Sequence, residues 1–154
     1  PKEASSHVTY DRKHTENVHS DFSMNAFQPQ YEFGHGLSYS PVVTKSMRLV
    51  NGDQVALGDV LEVEVVLENT GHMNSVEVVM LYSQDRVASI TPSVDKLRAY
   101  KRVAVDAGAT STITLSIATT ELGFIGSSLG YIVEPGRFGL RVKEQITEFE
   151  LINK

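Results

Sequence analysis

The sequence predicts an all-β protein: an antiparallel sandwich of about seven or eight strands behind an extended N-terminal arm. From about Thr44 onward, apolar and polar residues alternate in short runs, the period-two signature of strands with one buried face. Turn residues separate these runs at the spacing of a sandwich. No long segment of 3.6-residue period interrupts them.

Residues 1–30 hold only eight apolar side chains, with neither helical nor strand periodicity. Residues 1–28 therefore read as an arm, and 29–154 as the sandwich. Val42 to Val50 is the first strand expected. In Val60 to Glu68, Leu61, Val63, Val65 and Leu67 alternate with Glu62, Glu64, Val66 and Glu68, so one face is apolar and the other wet. Asn69-Thr70-Gly71 supplies turn chemistry. Val76 to Ser83 is apolar on both faces apart from Glu77, as in a central strand. Leu97 to Val105 ends at the Asp106-Ala107-Gly108 turn, and Ile113, Leu115 and Ile117 mark another half-buried strand. Tyr131 to Val133 runs into Glu134-Pro135-Gly136, and Phe138, Leu140 and Val142 are expected to return as the partner strand of that hairpin. Phe149 to Ile152 closes a count that suits an immunoglobulin or fibronectin type III sandwich.

Composition narrows the function. The 154 residues suit one domain, or one domain and an arm, with 41% apolar and 21% charged residues. Fourteen basic against nineteen acidic residues give a net charge of −5 without a Lys/Arg block, which argues against nucleic acid as a partner. No apolar run approaches the roughly 20 residues of a membrane-spanning helix. The absence of cysteine excludes disulfides and thiolate sites and leaves the compartment open. The opening Pro1-Lys2-Glu3 reads as that of a processed or excised piece.

Three patterns invite chemistry and fail on context. Gly126-Ser127-Ser128-Leu129-Gly130 matches a nucleophile elbow, but a strand and a turn follow it where the elbow needs a helix. Glu62, Glu64 and Glu68 lie on one strand face about 6.6 Å apart in steps of two residues; alternating Glu is also how a sheet keeps its outer face in water. His14 and His19, with His7, Asp11 or Asp21, have metal-ligand spacing but sit in the arm without a framework to hold them. No catalytic residue, cofactor or metal site is expected. With no Trp, and with its Tyr and Phe in core or loop registers, the chain offers no clear sugar-stacking platform, which argues against direct carbohydrate binding.

One stretch carries a resemblance. Tyr31-Glu32-Phe33-Gly34-His35-Gly36-Leu37-Ser38-Tyr39-Ser40 resembles the P-F-G-Y-G-L-S-Y-T segment that introduces the C-terminal fibronectin type III-like domain of glycoside hydrolase family 3 enzymes, typically β-glucosidases and β-xylosidases. Similar motifs follow in order: Asn69-Thr70-Gly71, Glu77 to Tyr82, Ala88-Ser89-Ile90-Thr91 leading to Val94 and Leu97, and Glu134-Pro135-Gly136-Arg137-Phe138. Tyr10 to Thr15 looks like the stretch that leaves the preceding α/β-sandwich domain of such enzymes. The chain departs from the pattern at Glu32, His35, Pro92-Ser93, Ala99 and Lys143, the last often Gly.

The resemblance implies a non-catalytic module that packs on and stabilises the catalytic domains of the same polypeptide, while the parent hydrolyses terminal β-linked glucose or xylose. The family's nucleophile lies in a barrel segment like S-D-W, which this chain lacks. A periplasmic or secreted setting is implied for the parent. Gly34 and Gly36 free the backbone, and Phe33, Leu37 and Tyr39 offer apolar anchors between arm and sandwich. Phe33, Gly34, Gly36, Leu37, Ser38 and Tyr39, with Ala88, Ser89, Leu97 and Tyr100, are the expected interdomain docking residues. The alternative is a stand-alone carbohydrate-binding or adhesion sandwich.

Overall fold

The computed structural model describes residue 31, residues 35–91, residue 93 and residues 95–154. Ten strands follow in order: β1 (Val42–Leu49), β2 (Gln54–Ala56), β3 (Val60–Asn69), β4 (Ser75–Asp85), β5 (Lys96–Val105), β6 (Thr110–Ala118), β7 (Phe124–Ile125), β8 (Tyr131–Ile132), β9 (Gly136–Val142) and β10 (Gln145–Ile152). A 3-10 turn, Thr119–Leu122, separates β6 from β7. The seven strands of at least seven residues match the expected sandwich, and β2, β7 and β8 are short additions. Among the described residues, no helix is long and apolar enough to cross a membrane.

Two sheets face each other. One has the order β1-β3-β6 and the other β2-β10-β9-β4-β5, while β7 and β8 form a separate hairpin. All pairings are antiparallel except β2 with β10. Leu61, Val63, Val65 and Leu67 of β3 have no exposed surface, as their alternation predicts, and Ile113, Leu115 and Ile117 extend that layer. Leu81, Phe138, Leu140, Phe149 and Leu151 come from the opposite sheet into the same core. Phe138 and Phe149 are cross-strand partners whose rings stack with centroids 5.5 Å apart.

Two expectations need correction. The first is that Val76 to Ser83, apolar on both faces apart from Glu77, is covered on both as a central strand; β4 does lie inside its sheet, between β9 and β5, but its outer face is not covered throughout. β4 pairs with β5 from Ser75 to Ser83 but with β9 only over Tyr82–Asp85, so Val76 and Val78 are exposed. β9 is seven residues long against eleven in β4 and cannot flank both halves.

The second concerns hairpin pairing. Tyr131 and Ile132 pair with Phe124 and Ile125, whereas Phe138 pairs with Phe149 and Asp85. The Tyr131 hydroxyl accepts from Gly123 N–H at 3.0 Å and donates to Thr120 O at 3.2 Å, holding β8 against β7. Gly123 permits that approach, since a Cβ there would lie 2.2 Å from Ile132 O. The long hairpin is instead β9–β10, turned at Lys143, whose φ of 50° lies in the left-handed region.

Candidate interdomain surface

The chain enters the sandwich through residues 35–41, and a buried asparagine receives it. Asn69, at the end of β3, is fully buried and satisfies every polar atom of its side chain. Its Oδ1 accepts from Ser40 Oγ at 2.7 Å and from Gly71 N–H at 3.0 Å, and its Nδ2 donates to Met73 O at 2.8 Å and Val105 O at 3.0 Å. Pro41 O accepts from Thr70 N–H at 3.0 Å. Gly71 has to lack a side chain, because a Cβ there would fall 2.0 Å from Ser40 Oγ. Asn69-Thr70-Gly71, legible in the sequence as a turn, is therefore also a clasp on the entering segment. Its buried role depends on Ser40, twenty-nine residues away, and no local pattern signals it.

The clasp inverts the ordinary alternation. Ser40 is buried, and Ser38 Oγ donates to Ser40 O at 2.9 Å and lies 3.1 Å from Ser75 Oγ at the start of β4. Between and beside these inward hydroxyls, Leu37 is 97% exposed and Tyr39 98% exposed. A segment tied down by its polar side chains thus displays its apolar ones to solvent. Gly36 is open, with nothing near its missing Cβ, and Phe33 and Gly34 lie outside the described residues.

Ala88 and Ser89 follow the other end of β4. The ten residue steps from Ser75 to Asp85 span about 34 Å, so the structure does not bring them beside Leu37 and Tyr39. Ser89 N–H donates to Glu134 Oε2 at 2.8 Å, and Val87 N–H donates to Asp85 Oδ1 at 3.2 Å. The Ser89 hydroxyl and N–H hold the Glu134 carboxyl below its usual range. Burial pushes Asp85 up, the Val87 N–H opposes this, and the charge of Glu134 adds to it. Leu97 and Tyr100 lie on β5; Leu97 is half-buried and Tyr100 exposed.

The patterns set aside in the sequence have structural uses. Glu64 takes two bonds from Arg48, at 2.7 and 2.9 Å, and Glu68 pairs with Lys45 at 3.2 Å, so these carboxylates belong to cross-strand ion pairs. Gly126 to Gly130 is the β7–β8 turn, closed by Gly126 N–H to Gly130 O at 2.9 Å, and no helix follows it. His7, His14, His19, Asp11 and Asp21 lie outside the described residues. Among the described residues, no three His, Asp or Glu side chains converge.

Residues 77–145 match the family "Fibronectin type III-like domain". The chain is 32% identical over 114 residues to a β-xylosidase of Formosa agariphila, covering 74% of this chain and 16% of that protein. It is 30% identical over 112 residues to a periplasmic β-glucosidase of Salmonella typhimurium, covering 73% and 14%. Among solved structures, a β-glucosidase from Erythrobacter marinus superimposes with a TM-score of 0.83 at 26% identity, over 94% of this chain and 20% of that one. A β-glucosidase from Listeria innocua gives a TM-score of 0.77 at 28% identity, over 96% and 22%. The chain thus spans about a sixth of the length of the first curated relatives it matches. Sequence motifs, sandwich topology and these likenesses agree: the chain is a fibronectin type III-like domain of the kind carried by glycoside hydrolase family 3 β-glucosidases and β-xylosidases.

Proposed function

We propose that this chain is a non-catalytic module of a family 3 glycoside hydrolase, packing on and stabilising the catalytic domains of a parent that hydrolyses terminal β-linked glucose or xylose. The observation that carries this reading is the clasped segment, with Ser38 and Ser40 turned onto the sandwich and Leu37 and Tyr39 presented to solvent. Hydrolysis by that chemistry needs two carboxyl groups across a sugar-binding cleft. The paired Glu64 and Glu68 on an open sheet face do not supply them, so catalysis is assigned to the rest of the parent.

The test has two arms. The 154-residue chain should not turn over aryl β-glucoside or β-xyloside, and a turnover that copurifies with it and disappears in Glu62→Gln or Glu64→Gln would refute the reading. In the full-length parent, Leu37→Ala/Tyr39→Ala should lower the melting temperature by several degrees. The same pair should leave the 154-residue chain within about 2 °C of wild type, because side chains so exposed contribute little to the module itself. Polysaccharide binding by the 154-residue chain would favour the adhesion reading instead.

A further inference from the structure

Asn51, Asn69, Asn74 and Asn153 lie among the described residues, and the fold treats them differently. Asn51 leads into Gly52 in the connection between β1 and β2, and both are exposed. Asn51 Oδ1 accepts from Glu62 N–H at 2.9 Å. Its Nδ2 and the Gly52 N–H donate no hydrogen bond among the described residues. Gly52 has a φ of 88° and nothing within 4 Å of where a Cβ would stand. A polarised side-chain carbonyl, an unengaged backbone nitrogen next to it and free access of water therefore meet at one dipeptide.

We propose that Asn51-Gly52 is a site of spontaneous covalent modification, where Asn51 is converted to isoaspartate or aspartate through a cyclic imide. Hydroxide takes the proton of Gly52 N–H, and the nitrogen attacks Asn51 Cγ. The negative charge of the tetrahedral centre falls on Oδ1, where Glu62 N–H already donates, as backbone N–H groups do to an oxyanion. The Cγ–Nδ2 bond then breaks, and the amide leaves as ammonia with a proton from water, which regenerates hydroxide. Water opens the five-membered ring. Opening at Cγ gives aspartate; opening at the main-chain carbonyl gives isoaspartate, joined to Gly52 through its former side chain.

The other asparagines each lack a condition. Asn69 is buried with its side chain fully bonded, and Thr70 follows it. Asn74 is exposed and its Oδ1 likewise accepts a backbone N–H, from Ala107 at 3.0 Å, but the next residue is Ser75, whose Cβ crowds the attacking nitrogen. Asn153 precedes Lys154, and no N–H is held on its Oδ1 among the described residues.

The two products differ in consequence. Asp53 O accepts from Glu150 N–H at 2.7 Å and Leu57 N–H donates to Ile152 O at 2.8 Å, so these bonds flank the three-residue β2 on β10 and keep Val55 in the core. Isoaspartate lengthens the main chain just before this attachment and loosens it, whereas aspartate keeps both the chain length and an acceptor for Glu62 N–H.

The test is to hold the 154-residue chain folded at mildly alkaline pH and map its peptides over time by mass spectrometry, with the chain denatured in urea alongside. Position 51 should convert about ten-fold faster than 74 or 153 in the folded chain, and no more slowly than it does in urea. Conversion at 74 or 153 as fast as at 51, or protection of 51 by folding, would overturn the site. The isoaspartate fraction, separated by ion exchange, should then show several-fold faster hydrogen exchange at the Leu57 and Glu150 amides than Asn51→Asp, which carries the same added charge. Equal exchange in the two would overturn the loosening of β2.

Discussion

Replacing Asn69 by Ala removes four hydrogen bonds from one fully buried side chain. The Gly71 N–H and Met73 carbonyl are near enough to the surface to be hydrated. The Ser40 hydroxyl and Val105 carbonyl are buried and lose a partner, at about 1–3 kcal/mol each. The expected loss is therefore about 3–4 kcal/mol, or on the order of 10–15 °C in Tm for a domain of this size. Ser40→Ala should cost only about 1 kcal/mol, because Asn69 Oδ1 keeps its bond from Gly71 N–H. In the Ser40→Ala background the cost of Asn69→Ala should shrink, since one orphaned group is already absent. Asn69→Asp keeps both acceptor bonds but sets a carboxylate against two carbonyls. Protonation restores a donor to one of those carbonyls, so this variant should regain stability as pH falls and lose it as pH rises. Thermal melts of wild type and the four variants, Asn69→Asp at several pH values, with hydrogen exchange over residues 37–41, measure all of this. An Asn69→Ala melt within about 3 °C of wild type, with unchanged exchange in that segment, would show that the clasp does not hold the entering chain.

Lys143 sits at φ 50° yet links Glu77 at 2.8 Å and Val42 O at 3.0 Å, so strain and attachment oppose each other. Lys143→Ala should be the least stable in chemical denaturation, with Lys143→Gly about 1 kcal/mol above it and no better than wild type; equal stabilities would refute the strain. The two displaced carboxyls should act with opposite sign. Glu134 is lowered, so its hold on Ser89 is present above the ordinary Glu range and released as pH falls through its folded pKa, read from the Ser89 amide shift. Asp85 is raised, so its contribution worsens as pH rises from its ordinary value toward the raised one, and Asp85→Asn should flatten that slope of stability against pH. Limited proteolysis should cut within the sparsely apolar first 28 residues before the sandwich, leaving a core that begins near Gln28 to Phe33; a first cut inside 42–152 would contradict the division.

Much of the sandwich was legible because burial of one face writes a period of two into each strand. Leu61 to Leu67 and Ile113 to Ile117 carry that period unbroken, and Asp106 to Gly108 marks its own turn. The family likeness was legible too, in ordered motifs from Tyr31 to Phe138. Pairing partners were not, because alternation says which face is buried and nothing about which strand lies alongside. Tyr131-Ile132 and Phe138 to Val142 look like one hairpin in the sequence, yet the Tyr131 hydroxyl commits β8 to β7, and β9 lies between β10 and β4. The exposure of Val76 and Val78 is likewise a property of β9, which ends before it reaches them. Only the tertiary structure could make Asn69 a buried clasp, because its partners Ser40 and Val105 come from distant strands and connections. The same long-range arrangement set Ser38 at the start of β4 and Ala88 and Ser89 beyond its other end: distance along an eleven-residue strand is a property of the fold.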